Sequence, residues 1–123
     1  MTGDGGSLYT IQALWTAAKY RTNTRFVICN NGGYKLLKLN IMQYWKERGI
    51  PDHEFPASFE LAEPAVDFVK LAEGFKVPAL RVARPEEMAP AIERAHKTEG
   101  PFLIDLVLPT DVAGHHPGCR CGQ

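Results

Sequence analysis

Apolar positions recur along this chain with helical and strand periods in alternation. Ile11, Leu14, Trp15 and Ala18 stand at i, i+3, i+4 and i+7, which predicts a helix burying one stripe that includes the tryptophan. The run Arg25-Phe26-Val27-Ile28-Cys29 is short and rich in β-formers and predicts a buried strand. It stops at Asn30-Asn31-Gly32-Gly33, residues that tolerate the backbone angles of a tight turn. A second helix is expected over about Tyr34 to Arg48, with Leu37, Ile41, Tyr44 and Trp45 on one side and Gly49 and Pro51 as its stop. Ile50 to Glu63 has no clean period and reads as loop. Pro64 can open a third helix through Phe68, Leu71 and Ala72, ending near Gly74. Ala79 to Ala83 alternates weakly and reads as a strand. Pro85-Glu86-Glu87 starts a helix with acidic groups at the positive end of its dipole, and Met88, Ile92 and Ala95 are expected to face inward. Phe102 to Leu108 is the clearest strand. Residues 1–108 thus form the folded part, and the tail 109–123 has little to bury and is expected to be loose.

Alternation of helices and strands in this order predicts an α/β fold, a parallel sheet with flanking helices. Such a sheet normally runs a strand into its glycine-rich turn, yet only Met1 and Thr2 precede Gly3-Asp4-Gly5-Gly6-Ser7. The expectation is an incomplete domain lacking its leading strands. Length allows one domain at most, and a hydrophobic fraction of 45% is enough to build a core. With 14 basic and 14 acidic residues the chain offers no electrostatic case for nucleic acid or an anionic membrane surface. No run is apolar and long enough to span a bilayer, and Met1-Thr2-Gly3-Asp4-Gly5 does not read as a signal peptide. Cys29, Cys119 and Cys121 make an odd set that argues against a disulfide framework, and a cytoplasmic location fits better.

The candidate chemistry begins at the glycine turn. Glycines at a helix start let free N–H groups and the dipole approach an anion, typically phosphate; a plain strand-to-helix connection explains them equally well. The dinucleotide fingerprint fails, because Gly3 and Gly5 are followed by Leu8 at the sixth position, and no Gly-Lys-Ser/Thr run makes a P-loop. What is distinctive is a carboxylate, Asp4, within the turn. Asp4 and Asn31 end consecutive elements of a β-α-β unit, at the carboxyl edge where open parallel sheets bind ligands. A carboxylate, an amide oxygen and a carbonyl of the Gly32-Gly33 turn are hard donors suited to Mg²⁺, which readily takes further oxygens from a phosphate. In isolation, Asn30 and Asn31 are more simply a turn.

Gly3-Asp4-Gly5 followed after 24 residues by Asn30-Asn31, with the ending Asn-Asn-Gly-x-Tyr, resembles the signature of thiamine-diphosphate enzymes. Tyr9-Thr-Ile-Gln-Ala-Leu-Trp-Thr-Ala-Ala18 and Asn30-Asn-Gly-Gly-Tyr34 are most similar to the benzoylformate decarboxylase branch of the superfamily that also holds acetolactate synthase. Similarity continues through Asp67-Phe-Val-Lys-Leu-Ala72, Glu86-Glu87 and Gly100-Pro-Phe-Leu-Ile-Asp105, covering nearly everything except the tail. The resemblance implies the thiamine-diphosphate-binding fold, the C-terminal, diphosphate-holding domain of such an enzyme.

Carried over residue by residue, it implies that Asp4, Asn31 and the main-chain carbonyl of Gly33 bind Mg²⁺, with diphosphate oxygens and a water completing the shell. Gly3, Gly5, Gly6 and Ser7 would belong to the diphosphate site. Relatives often carry serine directly after the motif, where this chain has Gly6 and so no hydroxyl to offer the phosphate. Tyr34 would pack beside the cofactor. Leu37 occupies a place that can line the substrate pocket, although its helical spacing alone would make it an ordinary core leucine. The implied activity is that of a lyase, decarboxylation of a 2-oxo acid, with carboligation of the acetolactate synthase kind as the alternative and a noncatalytic subunit retaining the fold as a further one. The family's activating glutamate comes from a separate pyrimidine-binding domain across a subunit interface, so the implied partners are that domain or a complementary chain, in a homo-oligomer. No residue of this chain is nominated as catalytic acid or base; His53 reads as an exposed loop histidine. His115, His116, Cys119 and Cys121 could bind Zn²⁺, but they are crowded and Cys-x-Cys lacks the usual spacer, so a loose tail is the preferred reading.

Overall fold

A computed structural model describes residues 1–109. The expectations for the tail's histidines and cysteines lie outside those residues. Four strands, β1 (Thr2–Gly3), β2 (Arg25–Asn30), β3 (Ala79–Val82) and β4 (Phe102–Val107), form a sheet in the order β1-β2-β4-β3, every pair parallel. The helices are α1 (Asp4–Leu8), α2 (Ala13–Lys19), α3 (Lys35–Arg48), α4 (Phe68–Gly74) and α5 (Met88–Lys97), with 3-10 turns at Ala57–Phe59 and Pro85–Glu87. The α/β class expected from the sequence is the observed one.

The sheet is covered on both faces, and its strands carry the pattern this demands. β4 lies between two neighbours, and Phe102, Leu103, Ile104 and Asp105 are all buried, as expected of a central parallel strand. Successive side chains point to opposite faces. Ile28 and Leu103 pack with Leu14 of α2, Phe68 and Ala72 of α4, and Val77. Ile104, Phe102 and Val82 pack on the other side with Ala91 and Ala95 of α5.

Several expectations need correction. The first helical pattern is two short helices, α1 and α2, joined by turns between Tyr9 and Gln12. In α2 the contact stripe is narrower than four residues: Leu14 is buried, whereas Trp15 is 52% exposed with the Lys19 ammonium over its ring. Along α5 the inward line runs through Met88, Ala91 and Ala95, and Ile92 is 46% exposed. The third helix starts at Phe68 rather than Pro64, because Asp67 caps it by accepting the Lys70 N–H at 3.3 Å. In α3 only Trp45 is buried, stacked on Phe55 at 5.6 Å between ring centres and edge-on to His53. Leu36, Leu37 and Tyr44 of that helix are exposed, so these three are not consumed by the core of the described residues.

Two carboxylates tie loops to this framework. The Lys70 N–H chiefly, and then Arg81, hold the Asp67 carboxyl below its ordinary 3.8. The Ala83 N–H, followed by the Arg84 side chain, likewise lowers Glu87 below 4.5. A depressed folded-state value means the stabilisation is present above the unfolded-state value and is lost as pH falls through the folded one. The urea midpoint is therefore expected to drop as pH falls from about 5 to about 3, and less steeply in the double variant Asp67→Asn, Glu87→Gln. A double variant with the wild-type slope would remove these two groups from the acid dependence.

Candidate cofactor and metal site

The parallel pairing Gly3↔Cys29 sets the end of β1 against the end of β2, so that Asp4 and the Asn30–Gly33 turn leave the sheet side by side. Asp4, 29 residues away in sequence from Gly33, meets it directly. The Asp4 carboxylate accepts the Gly5 N–H on Oδ1 at 2.9 Å and the Gly33 N–H on Oδ2 at 3.0 Å. Gly33 N–H is shared, for Asn31 Oδ1 accepts it too, at 3.2 Å. A carboxylate oxygen and an amide oxygen thus converge on one point of the turn.

The turn's shape depends on glycine at two places. Gly32 sits at φ 73°, where a side chain is strained. A Cβ on Gly33 would lie 2.8 Å from the Phe59 carbonyl oxygen, because the segment around the 3-10 turn is strapped across it: Leu61 N–H donates to Gly32 O at 2.8 Å and Tyr34 N–H to Phe59 O at 2.9 Å. This bridge takes the Gly32 carbonyl and leaves that of Gly33 with no backbone donor among the described residues. The Lys38–Glu60 ion pair fastens the strap to α3. Nothing in the sequence pattern announces the strap, since its residues have no period.

The neighbouring residues fall into place around this point. Gly5 is buried beneath the Tyr34 ring, and a Cβ there would come within 2.4 Å of Tyr34 Cε1. The Tyr34 phenol lies above its ordinary 10.0, first through desolvation, then through the Tyr9 hydroxyl and the Asp4 charge. Gly3 and Gly6 are exposed, whereas Ser7 is buried and its hydroxyl donates to the Asp4 carbonyl at 2.7 Å. Leu37, in the first turn of α3, is 44% exposed, so packing among the described residues does not account for it.

Charge makes the site unusual. Asp4 is only 4% exposed and has no ion-pair partner among the described residues, whereas the other buried carboxylate, Asp105, pairs with Arg81. Two N–H groups offset part of the desolvation of Asp4, and a cation would offset the rest. No cluster of three or more His, Cys, Asp or Glu side chains occurs among the described residues. The available donors are one carboxylate, one amide oxygen and one main-chain carbonyl, a hard-oxygen set that fits Mg²⁺ and not Zn²⁺. The cleft beside the turn, lined by Asn31, Gly32, Gly33, Lys35, Lys38 and Glu60, has a volume of ≈ 20 Å³, room for little more than a water. Two wider hollows, ≈ 290 Å³ among Met1, Thr2, Ile11, Leu14, Phe26 and Ile28 and ≈ 320 Å³ among Leu80, Val82, Glu86, Pro90 and Arg94, touch neither Asp4 nor Asn31, so the donor geometry locates the candidate site better than cavity size does.

Sequence and fold both have counterparts among known proteins. Residues 1–106 match the family described as "Thiamine pyrophosphate enzyme, C-terminal TPP binding domain". IlvX of Mycobacterium tuberculosis, named as a putative acetolactate synthase large subunit, is 38% identical over 113 residues, covering 89% of this chain and 21% of its own. Benzoylformate decarboxylase of Pseudomonas aeruginosa is 36% identical over 108 residues, 88% of this chain and 19% of that protein. Among solved structures, the thiamine diphosphate-dependent 4-hydroxybenzoylformate decarboxylase of Rhodococcus jostii RHA1 superposes with a TM-score of 0.73 at 35% identity, over 89% of this chain and 19% of that one. The chain spans about a fifth of the length of the relatives it matches.

Proposed function

The chain belongs to the thiamine pyrophosphate (thiamine diphosphate) enzymes, as a C-terminal TPP binding domain, and from that premise we propose that it holds Mg²⁺ and the cofactor's diphosphate within a 2-oxo acid decarboxylase. The observation that carries the metal assignment is the convergence of Asp4 and Asn31 oxygens on the Gly33 N–H, beside a Gly33 carbonyl that meets no backbone donor among the described residues. Asp4 would supply the one full negative charge, Asn31 and Gly33 neutral oxygens, and diphosphate oxygens the remainder. Gly3 and Gly6 keep side chains away from the diphosphate, and Gly5 brings its backbone to it while leaving room for the Tyr34 ring. Ser7 serves by holding the Asp4 carbonyl and so fixing the first turn of α1. Tyr34 covers Gly5 and walls the site.

Bound cofactor supplies the electron sink that lets a 2-oxo acid lose CO₂. This chain's residues bind and orient it; none is assigned a proton. The glutamate that activates the cofactor would come from a pyrimidine-binding domain, on another part of the polypeptide or a complementary chain. The outward Leu36, Leu37 and Tyr44 of α3 support such an association, in a homo-oligomer, with Leu37 at the wall of the substrate pocket.

Benzoylformate decarboxylase and a protein named as an acetolactate synthase are similar to this chain to nearly the same degree, so carboligation is the second reading. Reassembly of the chain with a pyrimidine-binding domain of a benzoylformate decarboxylase tests both. CO₂ release from benzoylformate exceeding that from pyruvate supports the decarboxylase; acetolactate formed from pyruvate replaces it with the carboligase. A well-folded complex that binds cofactor and turns over neither acid would favour the noncatalytic subunit.

A further inference from the structure

A chain of hydrogen bonds runs from the core to the metal-ligand turn. Asp105 lies in the middle of β4 and is 0% exposed. Register places Ile28 and Arg81 beside it on the two neighbouring strands, so Asn30, two residues beyond Ile28, projects from the same face. Asp105 Oδ2 accepts Arg81 Nε at 2.9 Å, and its Oδ1 accepts Asn30 Nδ2 at 3.0 Å. Asn30 in turn accepts the Gly32 N–H on Oδ1 at 3.3 Å. Arg81 is itself held from the far side by Asp67 at 3.2 Å.

We propose that Asp105 is a positioning residue for the cofactor's metal, setting through Asn30 the geometry of the turn that presents Asn31 and the Gly33 carbonyl. The physical basis is the polarity of the groups. A carboxylate only accepts, so Asn30 must turn its NH₂ towards Asp105; its oxygen is then left facing Gly32, whose N–H only donates. With Asn30 Oδ1 fixed on Gly32, the next N–H along, that of Gly33, is free for Asp4 and Asn31. A leucine at position 105 would satisfy the core better, yet would leave Arg81 and Asn30 without this partner. The inference that this matters for a metal rests on the functional reading above; the inference about the turn does not.

Asp105→Asn tests the polarity with almost no change of volume. The amide oxygen it introduces goes to Arg81, because a charge-assisted bond is roughly twice as strong as a neutral one. The introduced NH₂ then meets that of Asn30, which must flip and present NH₂ to the Gly32 N–H, donor against donor. Adding Asn30→Asp restores an acceptor at both ends: the NH₂ introduced at position 105 and the Gly32 N–H each find a carboxylate oxygen.

Amide hydrogen exchange of the 123-residue chain, followed by NMR without Mg²⁺ or cofactor, reads this out. In Asp105→Asn the Gly32 amide is expected to exchange at least about 10-fold faster, while the ladder amides of Phe102 and Leu103, which donate to Thr24 O at 3.0 Å and Pro78 O at 2.9 Å, change less than about threefold. In Asn30→Asp, Asp105→Asn the Gly32 rate returns to within about threefold of wild type. An unchanged Gly32 rate in the single variant, equal acceleration of Gly32 and the ladder amides, or no recovery in the double variant would each overturn the proposal. Should the single variant not fold, the double variant decides: a folded protein with Gly32 protected supports it, and failure to fold overturns it. Since no ligand is present, these outcomes are independent of whether the chain binds the cofactor.

Discussion

Asp4→Ala is expected to lower Mg²⁺-dependent affinity for thiamine diphosphate by at least about 100-fold, roughly 2.7 kcal/mol. Among the assigned ligands only Asp4 carries a full charge, and it sits where water cannot replace it, at 4% exposure. Loss of this ligand removes a bond to the divalent ion and also the charge that balances it. Stability should respond much less. The variant loses the bonds from the Gly5 and Gly33 N–H groups, at 2.9 and 3.0 Å. It also loses a buried negative charge that has no cation beside it among the described residues. These effects oppose each other, and a net change below about 2 kcal/mol is expected in urea unfolding without metal. A variant that binds the cofactor normally would sink the metal assignment, and one that loses binding only because it unfolds would show it in the same urea curve.

The largest stability effect is expected at Phe102. It is 1% exposed on the central strand, packed with Ile104, Val82, Ala91 and Ala95. Truncation to alanine leaves a cavity that two small alanines of α5 cannot fill, so Phe102→Ala should cost about 3–5 kcal/mol. That is a large share of the roughly 5–15 kcal/mol that holds a typical domain together. Trp15→Ala removes a bigger side chain and should cost less than about 1 kcal/mol, since the ring is half in solvent and its main partner is the exposed Lys19 ammonium at 4.8 Å. Urea midpoints of the two variants give the comparison; a Trp15 loss equal to that of Phe102 would mean the indole is covered by something other than this chain.

The difference between those two aromatics shows what periodicity conveys. β2, β3, β4 and α5 are legible in the sequence because their faces are covered by this chain itself, so burial leaves its mark at period two or 3.6. Phe102 to Leu106 could hardly be anything but a buried strand. Trp15, Leu37 and Tyr44 obey the helical period equally well, yet they are exposed, because an apolar stripe does not say which surface will cover it. β1 leaves no pattern at all, having two residues. The site divides in the same way. Asp4 and Asn31 stand out by motif spacing and by the chemistry of oxygen donors, and strand pairing brings them to the same N–H. Asp105 and Arg81 do not stand out as a pair. A partial signal is present, since an aspartate inside Phe102-Leu-Ile-Asp-Leu-Val107 must find partners if buried. What the sequence lacks is the register that sets Arg81 and Asn30 beside it.

The functional reading stands or falls on a divalent cation that ties the diphosphate to this chain. Calorimetric titration of thiamine diphosphate, with Mg²⁺ and then with EDTA, into the chain reassembled with a pyrimidine-binding domain probes that tie without intermediary. Saturable binding with Mg²⁺ that disappears in EDTA is the expected result. Equal binding in both buffers, or none in either, would contradict it.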